Sequence, residues 1–93
     1  MSYRITVHPS VQRDFRKIDP KMHERLLEAI RGLATDPRAR GSIGLSGAFA
    51  GYRRARVGSY RVIYYVDEEG GTVEVLLVGH RSLSYDELKR RVR

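Results

Sequence analysis

The sequence lacks several residue types and patterns, and these absences exclude whole classes of protein. Its 93 residues include no cysteine, no tryptophan and only 3 prolines. Without cysteine the chain has no disulfide framework and no thiolate for catalysis or metal binding. No apolar run is long enough for a membrane-spanning helix, and residues 1–7 lack the apolar segment of a signal peptide. We therefore expect a cytoplasmic protein without membrane contact.

Acidic residues are also scarce relative to basic ones. Lys and Arg together number 18 against 11 Asp and Glu, which gives a formal net charge of +7. Only Lys17, Lys21 and Lys89 are lysine, so arginine dominates. The planar arginine head binds phosphate through two parallel hydrogen bonds. A single small domain over residues 1–93 with this charge predicts nucleic acid or an acidic protein as its partner.

The N-terminal third predicts a strand followed by two helices. Residues 3–8 alternate as a short strand, and Ser10 is a suitable N-cap for the first helix. Asp19 and Pro20 are typical of the start of a second helix. The apolar positions recur at helical spacing: Val11, Phe15 and Ile18 in the first helix, and Met22, Leu26, Leu27, Ala29, Ile30 and Leu33 in the second. We expect an antiparallel helix pair whose apolar faces are buried.

The segment 35–51 contains several glycines and no clear period, so we interpret it as a loop. Within this loop, Leu45 and Phe49 are the expected anchors against the core.

The C-terminal third begins with an acidic turn at residues 67–71, whose adjacent carboxylates lack the spacing of a calcium loop. Residues 72–78 are almost wholly apolar, as expected of a strand buried on both faces. Residues 86–93 predict a short amphipathic helix containing Leu88 and Val92, or else a frayed, solvated cationic tail.

The clearest motif is a predicted hairpin at residues 52–66. Gly58 and Ser59 lie between runs rich in β-branched and aromatic residues, which favours a type II′ turn with glycine at its first central position. That turn sets the register, and side-chain alternation then gives one face to Arg54, Arg56 and Arg61. The other face is predicted to be core: Ala55, Val57, Tyr60, Val62 and Tyr64.

Arginines facing one another destabilise a sheet, and residues 52–66 contain no acidic side chain to offset the repulsion. One interpretation is a solvated face on which arginine stems lie over aromatic rings. The other is a binding site for a polyanion, whose phosphates accept the guanidinium hydrogen bonds. In this register Arg53 points to the core side, with its charged head reaching for solvent.

The predicted order β-α-α-β-β-β indicates an α+β domain. We expect a small, mostly antiparallel twisted sheet of about four strands. Two N-terminal helices would pack on one face, and the chain would end in a short C-terminal helix or tail. The second face would then be free and would carry the arginines.

Few groups in the sequence could perform chemistry. His8, His23 and His80 lack metal-ligand spacing, and no G-x-S-x-G motif is present, so we expect neither a metal nor a cofactor. RNA supplies its own nucleophile, the 2′-OH, and a cationic face can stabilise charge that develops on its phosphate. Arginine stays protonated, which leaves Tyr85 and His80 as candidate general bases. The alternative role for His80 is a strand-end histidine bonded to the backbone.

The run 54–64, the segment 78–81 and Tyr85 together resemble the RelE/ParE superfamily of bacterial toxins. The resemblance covers nearly the whole chain, including His8-Pro9-Ser10 and Asp36-Pro37 on either side of the helix pair. It implies cleavage of mRNA on the ribosome without a metal. It also implies inhibition by a cognate acidic antitoxin in a hetero-oligomeric complex.

Position by position, the resemblance implies a catalytic set: Arg54, Arg56, Arg61, Arg81 and Tyr85. Arg54 and Arg56 match a basic pair that is lysine in some members, while Tyr85 matches a tyrosine that stacks on the substrate base and assists proton transfer. We expect further contacts to RNA from Arg53, His80, Lys89 and Arg90. Two alternatives stay open: a ParE-type inhibitor of DNA gyrase without nuclease activity, and a non-catalytic nucleic-acid-binding module.

Overall fold

The computed structural model of the chain describes residues 2–39, 41–83 and 85–92. Within them lie five strands and three α-helices, with short 3-10 turns at Pro20–Met22 and Gly47–Phe49. The strands are β1 (Arg4–Val7), β2 (Ser42–Gly44), β3 (Tyr52–Val57), β4 (Tyr60–Asp67) and β5 (Thr72–His80). The helices are α1 (Val11–Arg16), α2 (His23–Gly32) and α3 (Asp86–Arg91).

The strands form one sheet in the order β1-β5-β4-β3-β2. β1 runs parallel to β5, and the other neighbouring pairs are antiparallel. The predicted α+β class and the mostly antiparallel sheet are confirmed. The strand count differs because Ser42–Gly44, inside the predicted loop, pairs with β3 as an edge strand. Three residues are too few to show the alternation by which a strand is recognised.

The first face of the sheet packs against α1 and α2, as predicted. Most of the predicted helix positions join its core, but Leu27 is 38% exposed. The predicted cap at Asp19 is present on the 3-10 turn that leads into α2, where its Oδ1 accepts from the Lys21 backbone N–H at 3.0 Å. Ser10 precedes α1 without a cap bond, because its backbone is already helical whereas a capping residue is typically extended, and its hydroxyl accepts from Arg13.

The second face is not free, which corrects the prediction. A second core cluster lies on it and is covered by α3 and by the segment that follows β2. Its buried members are Ile63, Leu76, Leu77 and Leu88. The anchoring role of Leu45 and Phe49 is confirmed, since both pack against this cluster. Residues 86–91 form an ordered helix rather than a frayed tail because Leu88 is fully buried.

Strand β5 is the buried strand that its composition predicts, and it carries an irregularity. Opposite β4, Ile63 pairs with Leu77 and Tyr64 pairs with Val75, so Leu76 is bulged out of the register. A bulge of this kind turns consecutive side chains toward the same face. Leu76 and Leu77 accordingly both join the second cluster.

Candidate nucleic-acid interface

The hairpin between β3 and β4 has the predicted turn and register. Gly58 has a φ of +59°, whereas Ser59 has a negative φ. A single positive φ at the first central residue is the pattern of a type II′ turn, and glycine adopts it without strain. Arg56 lies directly opposite Arg61, and Val57 lies opposite Tyr60.

Three arginines meet at the end of this hairpin. Arg56 and Arg61 share the second face by alternation, and the chain after β5 brings Arg81 to the turn. The Arg81 backbone N–H donates to the Ser59 carbonyl at 2.8 Å, which fixes the last strand end against the hairpin. Together with Gly58, the three side chains line a cavity of about 140 Å³. We call Arg56, Arg61 and Arg81 the arginine cluster.

The arginine cluster has no neutralising partner among the described residues. Every ion pair there involves other arginines, and no side-chain hydrogen bond is formed by any member of the cluster. The Arg61 Nε is buried without a hydrogen-bond partner. A buried donor without an acceptor costs free energy, as do cations that face one another across strands. An anion in the cavity would relieve both costs.

A glycine beside the cluster lets the following loop close over the face. Gly79 lies opposite Arg61 in the β4–β5 register. A Cβ on Gly79 would stand 2.7 Å from Leu83 Cδ2, closer than two carbon atoms approach without one moving. Leu83 Cδ2 therefore occupies space that a side chain at position 79 would need, and a larger residue there would force the end of the Leu83 side chain to shift.

Tyr85 and Arg54 lie on the same face but do not line the cavity. The Tyr85 ring packs on Phe49, with ring centroids 5.6 Å apart and an interplanar angle of 34°. This contact makes Tyr85 part of the second core cluster and leaves it partly exposed. Arg54 occupies the same row of side chains as Arg56, one pleat further from the turn.

Two predicted RNA contacts, Arg53 and His80, fall on the opposite face from the cluster. Arg53 pairs across the strands with the core residue Tyr64, and its Nη2 donates to Ser42 Oγ at 3.0 Å. His80 lies opposite Tyr60 with their rings edge to face at 5.7 Å. The His80 Nδ1 is also 3.3 Å from the Ser82 backbone N–H, which is the strand-end role considered as its alternative.

The remaining predicted contacts are on α3. Lys89 and Arg90 are exposed, and Arg90 forms an ion pair with Glu87 at 2.6 Å. Neither lines the cavity of the arginine cluster.

The sequence interpretation missed a buried ion pair between α1 and α3. Arg91 donates from Nη1 and Nη2 to the two oxygens of Asp14, at 2.6 and 2.9 Å. The Asp14 carboxylate raises the pKa of Arg91, and burial partly opposes that rise. A signal was present, because Asp14 shares the helical face of Val11 and Ile18, where an unpaired carboxylate would be costly.

Other cavities and clusters show what else the surface offers. A cavity of about 610 Å³ lies where β5 faces α1 and α3. A polar cavity of about 290 Å³ at the other end of the sheet includes Asp67, Glu74 and Tyr65 in its lining. Across the described ranges, no three His, Asp or Glu side chains gather as a metal site. None of the helices in these ranges is long and apolar enough to cross a bilayer.

Residues 5–85 match the family described as "ParE toxin of type II toxin-antitoxin system, parDE". The match spans the sheet, both N-terminal helices, the arginine cluster and Tyr85. The chain belongs to this toxin family.

Named relatives place the toxin near the RelE-like members. It is 34% identical over 86 residues to "Toxin RelG" of Mycobacterium tuberculosis, which covers 91% of this chain and 98% of RelG. A chain in the crystal structure of the toxin–antitoxin complex RelBE2 from M. tuberculosis is 33% identical, with a TM-score of 0.77 over 87% of this chain and all of that one. A chain in the archaeal RelE–RelB complex from Pyrococcus horikoshii is 30% identical, with a TM-score of 0.75 over 90% of this chain and all of that one.

Proposed function

We propose that this toxin cuts mRNA bound to the ribosome, with the arginine cluster on the scissile phosphate. The observation that carries the proposal is the cavity lined by Arg56, Arg61 and Arg81, in which no guanidinium has a carboxylate partner among the described residues. The similarity of this chain to proteins named RelG and RelE supports the same assignment.

The reaction that suits this site is an internal transfer within the RNA. The 2′-oxygen attacks the adjacent phosphorus, the bond from phosphorus to the 5′-oxygen breaks, and the products end in a 2′,3′-cyclic phosphate and a 5′-hydroxyl. The 2′-OH gives up a proton to a base, and the leaving 5′-oxygen gains one. Extra negative charge develops on the phosphate between these events. Pre-placed guanidinium groups stabilise that charge without reorganising.

Tyr85 is the proposed stacking and proton-transfer residue. Its ring is backed by Phe49, so its outer side is available to a nucleotide base, and stacking on an aromatic ring tolerates any base. Arg54 extends the cationic row alongside β3. The described residues of the site offer no side chain suited to act as a strong general base, because arginine stays protonated, so geometry must supply much of the rate. Ribosome-held mRNA in an in-line arrangement would provide it.

The proposed partner in the cell is an acidic antitoxin that covers the arginine cluster. The similar chains from M. tuberculosis and P. horikoshii come from complexes of those toxins with antitoxins. A formal charge of +7 favours an acidic segment by long-range attraction. Association should slow as salt rises, because salt screens that attraction. An association rate that is indifferent to salt would contradict this mode of inhibition.

The test is cleavage in a reconstituted translation reaction, read by primer extension on a defined mRNA. Wild-type toxin should cut on ribosomes, and Arg61→Ala and Arg81→Ala should lose cutting while keeping the native circular dichroism spectrum. Arg31→Ala is the matched control, since it removes an exposed arginine of α2 that belongs neither to the cluster nor to the predicted RNA contacts. A 2′-deoxy nucleotide before the cut should abolish cleavage, while a chelator that spares translation should not. Efficient cutting of the deoxy substrate would overturn the mechanism.

The family description supports one competing function, because it names the ParE toxin. ParE-type members act on DNA gyrase. Expression of this toxin in bacteria should then produce gyrase-dependent DNA breaks and leave mRNA intact. A single expression strain assayed for both DNA breaks and cut mRNA therefore distinguishes gyrase inhibition from mRNA cleavage.

A further inference from the structure

Strand β5 has an uncovered edge in its second half. β1 pairs only with residues Thr72 to Val75, so the backbone beyond them has no strand on that side within the described ranges. Backbone groups on such an edge require other partners or attract foreign strands.

Two side chains stand where the missing strand would be. The Val78 backbone N–H donates to Asp14 Oδ2 at 3.0 Å, and Arg91 Nη1 donates to the Leu76 carbonyl at 2.9 Å. One edge donor and one edge acceptor are therefore bonded by the ion pair that joins α1 to α3. Any strand that paired with this edge of β5 would have to displace the Asp14 and Arg91 side chains.

The Asp14–Arg91 ion pair is built to fix direction as well as distance. Its two bonds run in parallel from the planar guanidinium to both carboxylate oxygens, and the two side chains are only 6% and 9% exposed. Arg91 Nε also faces Glu87 at 3.2 Å. A buried network whose donors and acceptors are all bonded is rigid, and a forked pair tolerates little rotation.

Helix α3 depends on such anchoring because it has only six residues. An isolated helix of that length is not stable in water. Its anchors are the buried Leu88 and the ion pair of Arg91. Tyr85 belongs to the same unit, since its carbonyl accepts from the Lys89 N–H at 3.1 Å and so closes the first helical turn. Movement of α3 must therefore move Tyr85.

We infer that Arg91, held by Asp14, is a positioning residue that keeps Tyr85 on Phe49 beside the arginine cluster. Tyr85 and Arg91 are about 9 Å apart along the helix, so Arg91 acts through the helix and not on substrate. The consequence for catalysis rests on the proposed function, whereas the placement of Tyr85 does not. Lysine should not substitute for Arg91, because an ammonium group lacks the planar fork.

The placement is tested by fluorescence. The chain contains no tryptophan, so Tyr85→Trp gives a single reporter at that position. In this background Arg91→Gln and Asp14→Asn should shift the emission to the red and increase acrylamide quenching. Arg90→Gln, on the same helix and in an exposed pair, should change neither. Unchanged emission and quenching in a folded Arg91→Gln or Asp14→Asn protein would overturn the inference.

Asp14→Asn guards against simple unfolding, because asparagine still offers an oxygen to the Val78 N–H. Amide exchange of the unmodified protein gives a measurement without any variant. The Val78 amide and the α3 amides should be protected, although no strand of the described ranges covers that edge. Unprotected α3 amides in the unmodified protein would overturn the inference directly.

The catalytic consequence is tested with the native Tyr85. Asp14→Asn, Arg91→Gln and Arg91→Lys should lower kcat for cleavage on ribosomes by roughly 10²-fold, the cost of a misplaced group. The half-saturating ribosome concentration should not change. Normal kcat, or a loss confined to ribosome affinity, would overturn the positioning role. If unmodified toxin cuts no mRNA, the proposed function fails while the fluorescence result still decides the placement of Tyr85.

Discussion

Arg91 and the three residues of the arginine cluster have opposite surroundings in this small domain. Arg91 is buried and bonded to two carboxylates and one carbonyl. Arg56, Arg61 and Arg81 surround a cavity and bond to no carboxylate among the described residues. In the first arrangement all three guanidinium nitrogens donate hydrogen bonds, and these bonds connect α3 to α1 and to β5. The second leaves donors open, which a structural role does not require.

The difference separates stability from function within one residue type. A buried guanidinium is tolerated only when it is paired, because removing it from water costs more than most contacts return. The arginine cluster instead combines repulsion between facing cations with an Arg61 Nε that has no protein acceptor among the described residues. Sites that lower the stability of a fold in this way are characteristic of binding and catalysis.

The largest expected effect is a loss of stability when the Asp14–Arg91 ion pair is broken. Asp14→Ala removes the forked carboxylate partner of the buried Arg91 side chain, which keeps Glu87 as its remaining carboxylate contact, and leaves the Val78 N–H without its acceptor. We expect the free energy of unfolding to fall by about 3–5 kcal/mol. Urea denaturation followed by circular dichroism measures it. Arg90→Ala, which removes an exposed pair, should change stability by less than about 1 kcal/mol. Equal losses in the two variants would contradict the distinction.

Removing a side chain of the arginine cluster should lower activity without lowering stability. Arg61→Ala removes one donor from the proposed phosphate site, and we expect cleavage on ribosomes to slow by about 10²–10³-fold. The denaturation midpoint should not fall, because the guanidinium has no protein partner to lose. A variant that unfolds while its residual folded fraction cuts normally would show that Arg61 is structural.

The sequence was sufficient to predict the hairpin because its signals are local. Gly58 determines the turn, the turn determines the register, and alternation then assigns Arg54, Arg56 and Arg61 to one face. The predicted register is confirmed residue by residue. The helical stripes were equally readable, since the core positions of α2 repeat at the helical period.

Features that depend on contacts distant along the chain were not predictable in this way. Asp14 and Arg91 are 77 residues apart, and the residues around each of them in the sequence do not indicate that the two side chains pair. The second core face was missed for the same reason, since it joins Phe49 to Leu88 across three strands. Alternation in the predicted register placed Arg53 on the core side correctly, but its hydrogen bond to Ser42 depends on the edge strand β2, which the sequence did not predict.

A smaller effect should reveal the cost of the unpaired cluster. Arg56→Gln removes one of two arginines that face each other across the hairpin. We expect stability to rise by roughly 0.2–1 kcal/mol as that repulsion is removed, while cleavage activity falls. Parallel denaturation and cleavage assays measure the two changes. Since the repulsion is electrostatic, the gain should shrink at high salt. A gain that salt does not alter would assign it to another cause.

The smallest effect concerns Arg38, which is exposed like Arg56 and Arg81 of the arginine cluster but paired with a carboxylate like Arg91. Glu68 accepts a hydrogen bond from the Tyr3 hydroxyl at 2.6 Å and pairs with Arg38, and these contacts hold its pKa below the ordinary value of 4.5. The folded state therefore binds this proton less tightly than the unfolded state. The contribution to stability is present above pH 4.5 and is lost as the pH falls through the lowered folded value. Because the carboxylate is exposed, the loss should be small.

Thermal unfolding between about pH 5 and pH 3 measures it as a change in Tm with pH. The wild-type Tm should fall more steeply in that range than the Tm of Glu68→Gln, which has no carboxylate to protonate. Glu24→Gln, which removes another exposed pair at 3.4 Å, is the matched control and should follow the wild type more closely. Parallel Tm curves for wild type and Glu68→Gln would show that an exposed pair on this domain contributes no measurable stability. Such a result would strengthen the contrast between exposed arginine pairs and the buried Asp14–Arg91 pair.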